Sequence, residues 1–571
     1  MAGLPEDWIA SMSGGRPAIC LNMIVRNEAH VVHEVLDSVA PYISSWVIVD
    51  TGSDDGTQDK IRDHMARLGI PGKLHERPWR NFGHNRSEAI TLARGNGDYI
   101  WVMDADDLLV GTPDFSGLTA DVYQLHYGPD VSYWRRQLFR DGLPWRYIGV
   151  LHEYAECDQP CVEDRLDGNY YIESRRLGGR NLDPQKYARD AEILLAEVER
   201  DPDDPRSVFY LAQSYYDYGD WANAHRWYTR RTEMGGFDEE IYYSLVRVGD
   251  TLLQLGESWP LVQDAYLHAW EFRPTRAEAL HAIARWYRDQ QRYQLAYLFA
   301  ERAAAIPLPE QDLLFVNAEV YNWRALDEQA VCASWIGKQD ESFRICRQLL
   351  HRADIPEEDR QRIASNRDVC VPTVLAQARE YDGDLSVNPS GGDITITVVG
   401  GPDRSATERT LNSLLHSRSD LSRVRRVLIL DIGMWPEDRA ALTQRYPAVQ
   451  FETAPPGVQP SGVREFITTR YWLHLGMGWQ FFSSDDVLGR LTSILDAEPG
   501  IYQVGINYGD ADQLTGRVAP LSSTRSGQGT GRYVMTGAAA EGPAMVDCSR
   551  GGCETDLGTA TLDEVLCIRQ V

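Results

Sequence analysis

The stretch YIWVMDADD (99–107) places Asp104, Asp106 and Asp107 at the end of an apolar run that reads as a buried strand. Carboxylates at that density repel one another and lose hydration in a closed site, so a positive counter-charge is expected beside them. Hard divalent cations prefer oxygen ligands, and one or two carboxylates plus substrate phosphates make a typical Mg²⁺ or Mn²⁺ site. The Asp-x-Asp spacing of Asp104 and Asp106 lets alternate side chains face one ion, although acidic turns are common and usually only solvated. Further on, WRYIGVLHEY (145–154) supplies His152, a possible imidazole ligand, and Glu153, which could accept a proton or orient the histidine.

The elements around these residues alternate. AICLNMIV (18–25), WVIVD (46–50) and YIWVMD (99–104) are strand-like, and 29–43, 57–69 and 87–95 have helical spacing. Such alternation predicts βαβ units and a mostly parallel sheet, whose ligands bind outside the carboxyl ends of the strands. Asp50 and the Asp104 cluster both fall at such ends. DVYQLHYG (121–128) and WRYIGVLHEY read as additional strands.

From about Asp183 to Arg379 the chain turns to helices rich in Ala, Leu, Tyr and Trp, with an internal repeat. Phe209, Tyr242 and Leu280 occupy matching places in 206–230, 239–259 and 277–303. These segments resemble tetratricopeptide repeats, whose stacked helix pairs suit peptide binding or the holding of domains; a plain helical spacer is the simpler alternative. After a Gly/Pro/Ser/Asp linker the strand–helix character returns with DITITVVGG (393–401) and VRRVLILD (424–431), and FFSSDD (481–486) echoes the acidic strand end.

Three landmarks occur in order in the first region: VRNE (25–28), VDTGSDDGT (49–57) and MDADD (103–107). Together they resemble glycosyltransferase family 2. The resemblance covers about the first 155 residues and implies a GT-A (Rossmann-like) glycosyltransferase domain at 1–178; with the tetratricopeptide-like helical repeats at 179–380, a linker at 381–392 and a second, divergent GT-A-like domain at 393–571, the chain reads as α/β plus all-α. The resemblance implies that Ile24, Arg26, Glu28 and Asp50 contact the base or ribose of a nucleotide sugar, and that Arg80 and Arg86 neutralise its diphosphate. Asp104 and Ala105 would line the donor loop, with Asp104, Asp106 and His152 around Mn²⁺ or Mg²⁺. Asp106 and Glu153 are the expected catalytic residues, Glu153 as base, with Asp130 and Asp141 as weaker alternatives. The GSDDGT turn is expected to be structural, its acids and Thr57 capping the next helix. In the second domain Asp431, Asp485 and Asp486 are retained, whereas Ser483 stands in the place of Asp104 and the GSDDGT turn is lost, as expected of a degenerate domain.

The implied reaction is inverting transfer from a nucleotide sugar, UDP-glucose or a relative, to an acceptor. The pairing with repeats resembles peptide glycosyltransferases of the sublancin S-glycosyltransferase type, so a protein or peptide side chain is the first expectation. A glycan, small molecule or modified nucleic acid is the alternative, and a non-catalytic adaptor the rival. The 57 basic and 84 acidic residues give a net charge of −27, which disfavours sequence-independent nucleic-acid binding. No apolar run is long enough for a membrane span, and the start lacks the pattern of a signal peptide, so a cytoplasmic protein without membrane insertion is expected. The nine scattered cysteines fit buried, reduced thiols.

Overall fold

The computed structural model describes residues 16–128, 133–175, 177–178, 184–376, 381, 387–416, 421–457, 460–482, 486–508, 518–536, 542–550 and 557–569. Two compact units divide the chain. One contains the residues up to 274 together with 309–316; the other contains 275–308 and 317–571.

The first unit opens with β1 (Ile19–Val25), α1 (Val32–Val39), β2 (Ser45–Asp50), α2 (Thr57–Leu68), β3 (Gly72–Glu76), α3 (Phe82–Ala93) and β4 (Tyr99–Val102). β5 (Asp107–Pro113), β6 (Val122–Tyr127), β7 (Tyr133–Arg140), β8 (Trp145–Ile148), β9 (Tyr154–Cys157), β10 (Glu163–Arg165) and β11 (Gly168–Ser174) follow. The main sheet runs β3-β2-β1-β4-β7-β6-β11-β5, with β10 beside β6. Its first four strands are parallel and β7 is antiparallel to β4. β1 is one of the two central strands of the parallel part and is buried along nearly its whole length, which explains its largely apolar sequence. Its one polar interior residue, Asn22, donates to the carbonyls of Val47 (2.9 Å) and Ala89 (3.0 Å), so it is buried without loss.

Two local predictions shift. The helix expected at 87–95 begins at Phe82, because the Asn81 side chain accepts from the His84 N–H and caps it. WRYIGVLHEY is not one strand but the hairpin β8–β9, turned by residues 149–153, with Gly149 at φ 106°.

Helices α4 (Lys186–Arg200), α5 (Pro205–Tyr218), α6 (Trp221–Thr232), α7 (Asp238–Gln254) and α8 (Trp259–Phe272) complete this unit. α5 shows why the repeat folds as it does. Asp204 caps its start, Pro205 opens it, and Gly219 closes it in the left-handed region. The repeat-matched Phe209 and Tyr242 are both buried.

The second unit contains α9 (Glu278–Asp289), α10 (Tyr293–Ala304), α11 (Ala325–Trp335), α12 (Gln339–Leu350) and α13 (Glu357–Ala376), then a second α/β region. That region comprises β12 (Ile394–Gly400), α14 (Arg404–His416), β13 (Val424–Asp431), α15 (Pro436–Arg445), β14 (Val449–Thr453), β15 (Tyr471–Leu475), β16 (Trp479–Phe481), α16 (Val487–Ala497), β17 (Ile501–Gly505), β18 (Arg525–Gly527), β19 (Gly531–Thr536), β20 (Ala544–Asp547), β21 (Gly558–Leu562) and β22 (Cys567–Arg569). Its sheet runs β14-β13-β12-β15-β20-β17-β21-β19-β18. The first four strands are parallel and the next is antiparallel, as in the first sheet.

Among the described residues no helix is long and apolar enough to cross a membrane. The described cysteines are all unpaired; five are buried, whereas Cys157, Cys161 and Cys548 are partly exposed, so burial holds only in part.

Candidate active site

The carboxyl ends of β1 and β2 are tied together by the two landmark loops. Asn27 adopts φ 58°; its N–H donates to Ser53 Oγ and its Oδ1 accepts from the Asp54 N–H, each at 2.9 Å. Glu28 N–H donates to Thr57 Oγ1 (2.9 Å), and Asp55 accepts from the N–H groups of Ala29 and Thr57 (3.0 Å each). The GSDDGT turn is thus a brace for the VRNE loop. The start of α2 itself is the left-handed Gly56, with no side-chain cap.

Asp50 ends β2 opposite Val25 and is 1% exposed. Its Oδ1 takes three donors, the N–H groups of Gly52 and Ser53 (2.9 Å each) and Gln58 Nε2 (3.0 Å). Its Oδ2 is buried with no hydrogen-bond partner among the described residues, an arrangement that invites a donor from a ligand. Ile24 is half-buried in the same strand end. Arg26 and Arg80 are exposed, and among the described residues neither guanidinium has an ion-pair partner.

At the end of β4 the expected counter-charge is present in the protein itself. Arg86, on α3 and 6% exposed, donates through Nη2 to Asp104 Oδ1 and through Nε to Glu153 Oε1 (2.6 Å). Arg135, on β7, donates to Asp104 Oδ2 (3.1 Å). The four side chains form one line, Arg135–Asp104–Arg86–Glu153. Burial opposes the charge on Asp104, but Arg86 and Arg135 outweigh it and hold the carboxyl well below the usual carboxylate range. Arg135 is not singled out by the sequence, since YWRRQLFR carries three arginines.

The line depends on a close approach of backbones. A Cβ on Gly83 would stand 2.2 Å from the carbonyl oxygen of Gly149, so α3 meets the 149–153 loop with no side chain between them. Ser87 Oγ accepts from the Tyr147 N–H (2.8 Å) and strengthens the same junction.

Ala105 is buried beneath the acidic turn. Asp106 Oδ2 accepts from the Gly178 N–H (2.8 Å), and its carbonyl accepts from Arg175 Nε (3.2 Å). A Cβ on Gly178 would lie 3.1 Å from Asp106 Oδ2 and 3.2 Å from Glu28 Oε1, so both carboxylates border this glycine. Asp107 turns away into β5, where it accepts from the Tyr127 hydroxyl (2.8 Å). Burial, and then the charge of Asp104, push its carboxyl up to about 7.

Among the described residues no group of three His, Cys, Asp or Glu side chains is arranged to hold a metal ion. His152 is placed elsewhere: its ring stacks on Tyr210 of α5, with centroids 3.9 Å apart and planes 10° apart. The Asp106–Glu28 pair is nonetheless an all-oxygen donor set, of the kind that holds Mg²⁺ or Mn²⁺ together with phosphate oxygens. Of the alternative acids, Asp141 is spent on the N–H groups of Gly95 (2.6 Å) and Gly142 (2.8 Å). Asp130 lies outside the described residues.

In the second sheet Asp431 ends β13 opposite Gly400, and its Oδ1 accepts from the N–H groups of Gly433 (3.0 Å) and Met434 (2.7 Å), as Asp50 does in its own turn. Its Oδ2 differs: Arg439 Nη1 lies 3.4 Å away. Gln58 and Arg439 each stand eight residues after their aspartate. Asp486 caps α16 by accepting from the Gly489 N–H (2.9 Å). Asp485 lies outside the described residues.

Residues 20–112 match the family model for glycosyl transferase family 2, a span from β1 to the end of β5 that contains all three landmarks. A TPR repeat-containing protein of Synechococcus elongatus is 26% identical over 314 residues, covering 50% of this chain and 75% of that protein. Among solved structures, MamA is 14% identical over 29% of this chain and 87% of its own, with a TM-score of 0.24. YrrB, a TPR protein with an unusual peptide-binding site, is 14% identical over 32% of this chain and 84% of its own, with a TM-score of 0.25. The chain therefore carries a glycosyl transferase family 2 domain in its first sheet and, after it in sequence, a tetratricopeptide-like helical region.

Proposed function

We propose that this protein is a metal-dependent, inverting glycosyltransferase that takes a sugar from a UDP-hexose and places it on a protein or peptide side chain. The observation that carries it is the line Arg135–Asp104–Arg86–Glu153, buried at Arg86 and Glu153 and half-buried at Asp104 and Arg135, in a family 2 domain whose Asp50 keeps a buried oxygen with no partner among the described residues. Asp50 receives the nucleoside with Arg26 beside the same strand end, and Arg80, with no ion-pair partner among the described residues, supplies positive charge for the diphosphate. Asp106 and Glu28 would hold a divalent ion, which when bound stabilises charge on the departing diphosphate. Glu153, fixed by Arg86, takes the proton of the acceptor hydroxyl or thiol. The acceptor atom bonds to the anomeric carbon as the carbon–oxygen bond to the diphosphate breaks, and UDP leaves.

The division at 178, 380 and 393 belongs to the same proposal, and so does the reading of the second sheet as a divergent copy. The shared strand order supports it, and Arg439 beside Asp431 supports loss of nucleotide binding there.

Incubation with UDP-sugars and Mn²⁺ tests the proposal. UDP release is expected from the wild type and not from a folded Asp106→Ala variant. A wild type that neither binds nor hydrolyses any UDP-sugar points instead to an adaptor. Intact masses of co-expressed proteins test the acceptor: a hexose-sized increment on none of them rules out a protein side chain.

A further inference from the structure

Glu153 follows a residue in an uncommon conformation. His152 has φ 51°, in the left-handed region that a residue with a Cβ rarely adopts. The contacts that hold it come from the helical region. Arg206 of α5 donates to the His152 carbonyl from Nε (3.2 Å) and Nη2 (2.9 Å). Tyr210, one turn further along α5, supplies the ring on which the imidazole stacks. Arg206 is itself placed between two rings, its guanidinium carbon 5.1 Å from the centre of Tyr154 and 5.0 Å from that of Tyr210. It also lies 3.6 Å from Glu240 of α7, which is buried and paired with the fully buried Arg231 of α6 (2.9 Å). One helix therefore holds this backbone carbonyl, and two more stand behind the side chain that does so.

That carbonyl belongs to the peptide plane joining His152 to Glu153. Fixing it fixes the direction in which the chain enters Glu153, and hence where the carboxylate meets Arg86. Two N–H donors from one edge of a rigid, planar guanidinium meet this single oxygen and fix its position more closely than one ammonium donor would. We propose that Arg206 and Tyr210 are positioning residues for sugar transfer: they hold His152 left-handed and so set Glu153, which makes the first helices of the repeat a working part of the transferase. This rests on Glu153 being the base.

The test uses full-length Arg206→Ala, Arg206→Lys, Tyr210→Leu and Tyr210→Phe with UDP-glucose and Mn²⁺. Displacing a reacting group by about 1 Å costs on the order of a hundredfold, so Arg206→Ala and Tyr210→Leu are expected to lower kcat by roughly ten- to a hundredfold. The KM for UDP-glucose and the Kd for UDP should be unchanged. Tyr210→Phe keeps the ring and should match the wild type, with Arg206→Lys between the extremes. Wild-type turnover in Arg206→Ala and Tyr210→Leu overturns the proposal, and so does an equal loss of UDP binding, which marks a general structural role. Hydrogen exchange gives a readout without turnover: residues 149–154 should exchange faster in Arg206→Ala while β1 does not. If the wild type releases no UDP, the transferase assignment fails on its own, and unchanged exchange at 149–154 would then refute the positioning as well.

Discussion

Replacing Asp50 by asparagine separates the two jobs of one carboxylate. Oδ1 holds the turn through Gly52, Ser53 and Gln58, and an asparagine Oδ1 can accept all three. Oδ2 is the buried oxygen without a partner, and in the variant it becomes an NH₂ that meets the ligand's donor with a donor. A hydrogen bond to a charged group contributes about 1.5–3 kcal/mol, and every 1.4 kcal/mol is about tenfold in affinity. Asp50→Asn should therefore weaken UDP binding by roughly ten- to a hundredfold while the melting temperature stays put. Isothermal titration with UDP, alongside thermal unfolding, reads both quantities. Wild-type affinity in a folded Asp50→Asn protein would refute the assignment of this oxygen to the nucleoside. A variant that loses binding only because it unfolds would refute the claim that the turn needs Oδ1 alone.

Two further predictions concern the second unit. Glu564 is buried between Arg367 (3.2 Å) and Arg347 (3.5 Å), so Glu564→Gln leaves Arg367, 0% exposed, with one carboxylate fewer. Leaving a buried charge unpaired costs about 3–5 kcal/mol; Arg367 keeps Asp368 (2.6 Å), so the unit's thermal transition should fall by part of that, and an unchanged transition refutes the pairing. His474 has its imidazole pushed down to about 4 by burial, while its Nδ1 pairs with Thr397 Oγ1 at 2.8 Å. Its folded-state value lies below the unfolded one, so its contribution is complete above about pH 6.5 and is lost as pH falls towards 4. A loss of up to about 3 kcal/mol over that window should vanish in His474→Asn, as checked by unfolding at stepped pH; equal pH dependence in both proteins counts against it.

The parallel core was legible because buried strands such as β1 and β13 cannot avoid looking apolar, and each was found within a residue or two of its place. β3 was not, since GKLHE lies at the edge of the sheet, largely exposed, and carries no such pattern. The helical spacing is plain only from Ser87 on, so the first turn of α3, set by the Asn81 cap, is not apparent in the sequence. Asp50, Arg86, Asp104 and Glu153 were all named from the sequence, and the structure brings the last three together. Arg135 escaped because strand register decides which arginine of YWRRQLFR meets Asp104, and register is a long-range property. His152 was expected at the acidic turn and lies on Tyr210, because α5, some fifty residues on, determines where its ring goes.

The contact between Gly83 and Gly149 also bears on how the site can move. Side chains are the compliant part of a packed junction; backbone pressed on backbone has little give. The helix that carries Arg86 and the loop that carries Glu153 are therefore geared, so a fluctuation of one drags the other with it. Breathing of the domain then changes the position of the arginine–glutamate pair without changing its length. The arginine and the glutamate thus keep their spacing through the backbone as well as through their own ion pair.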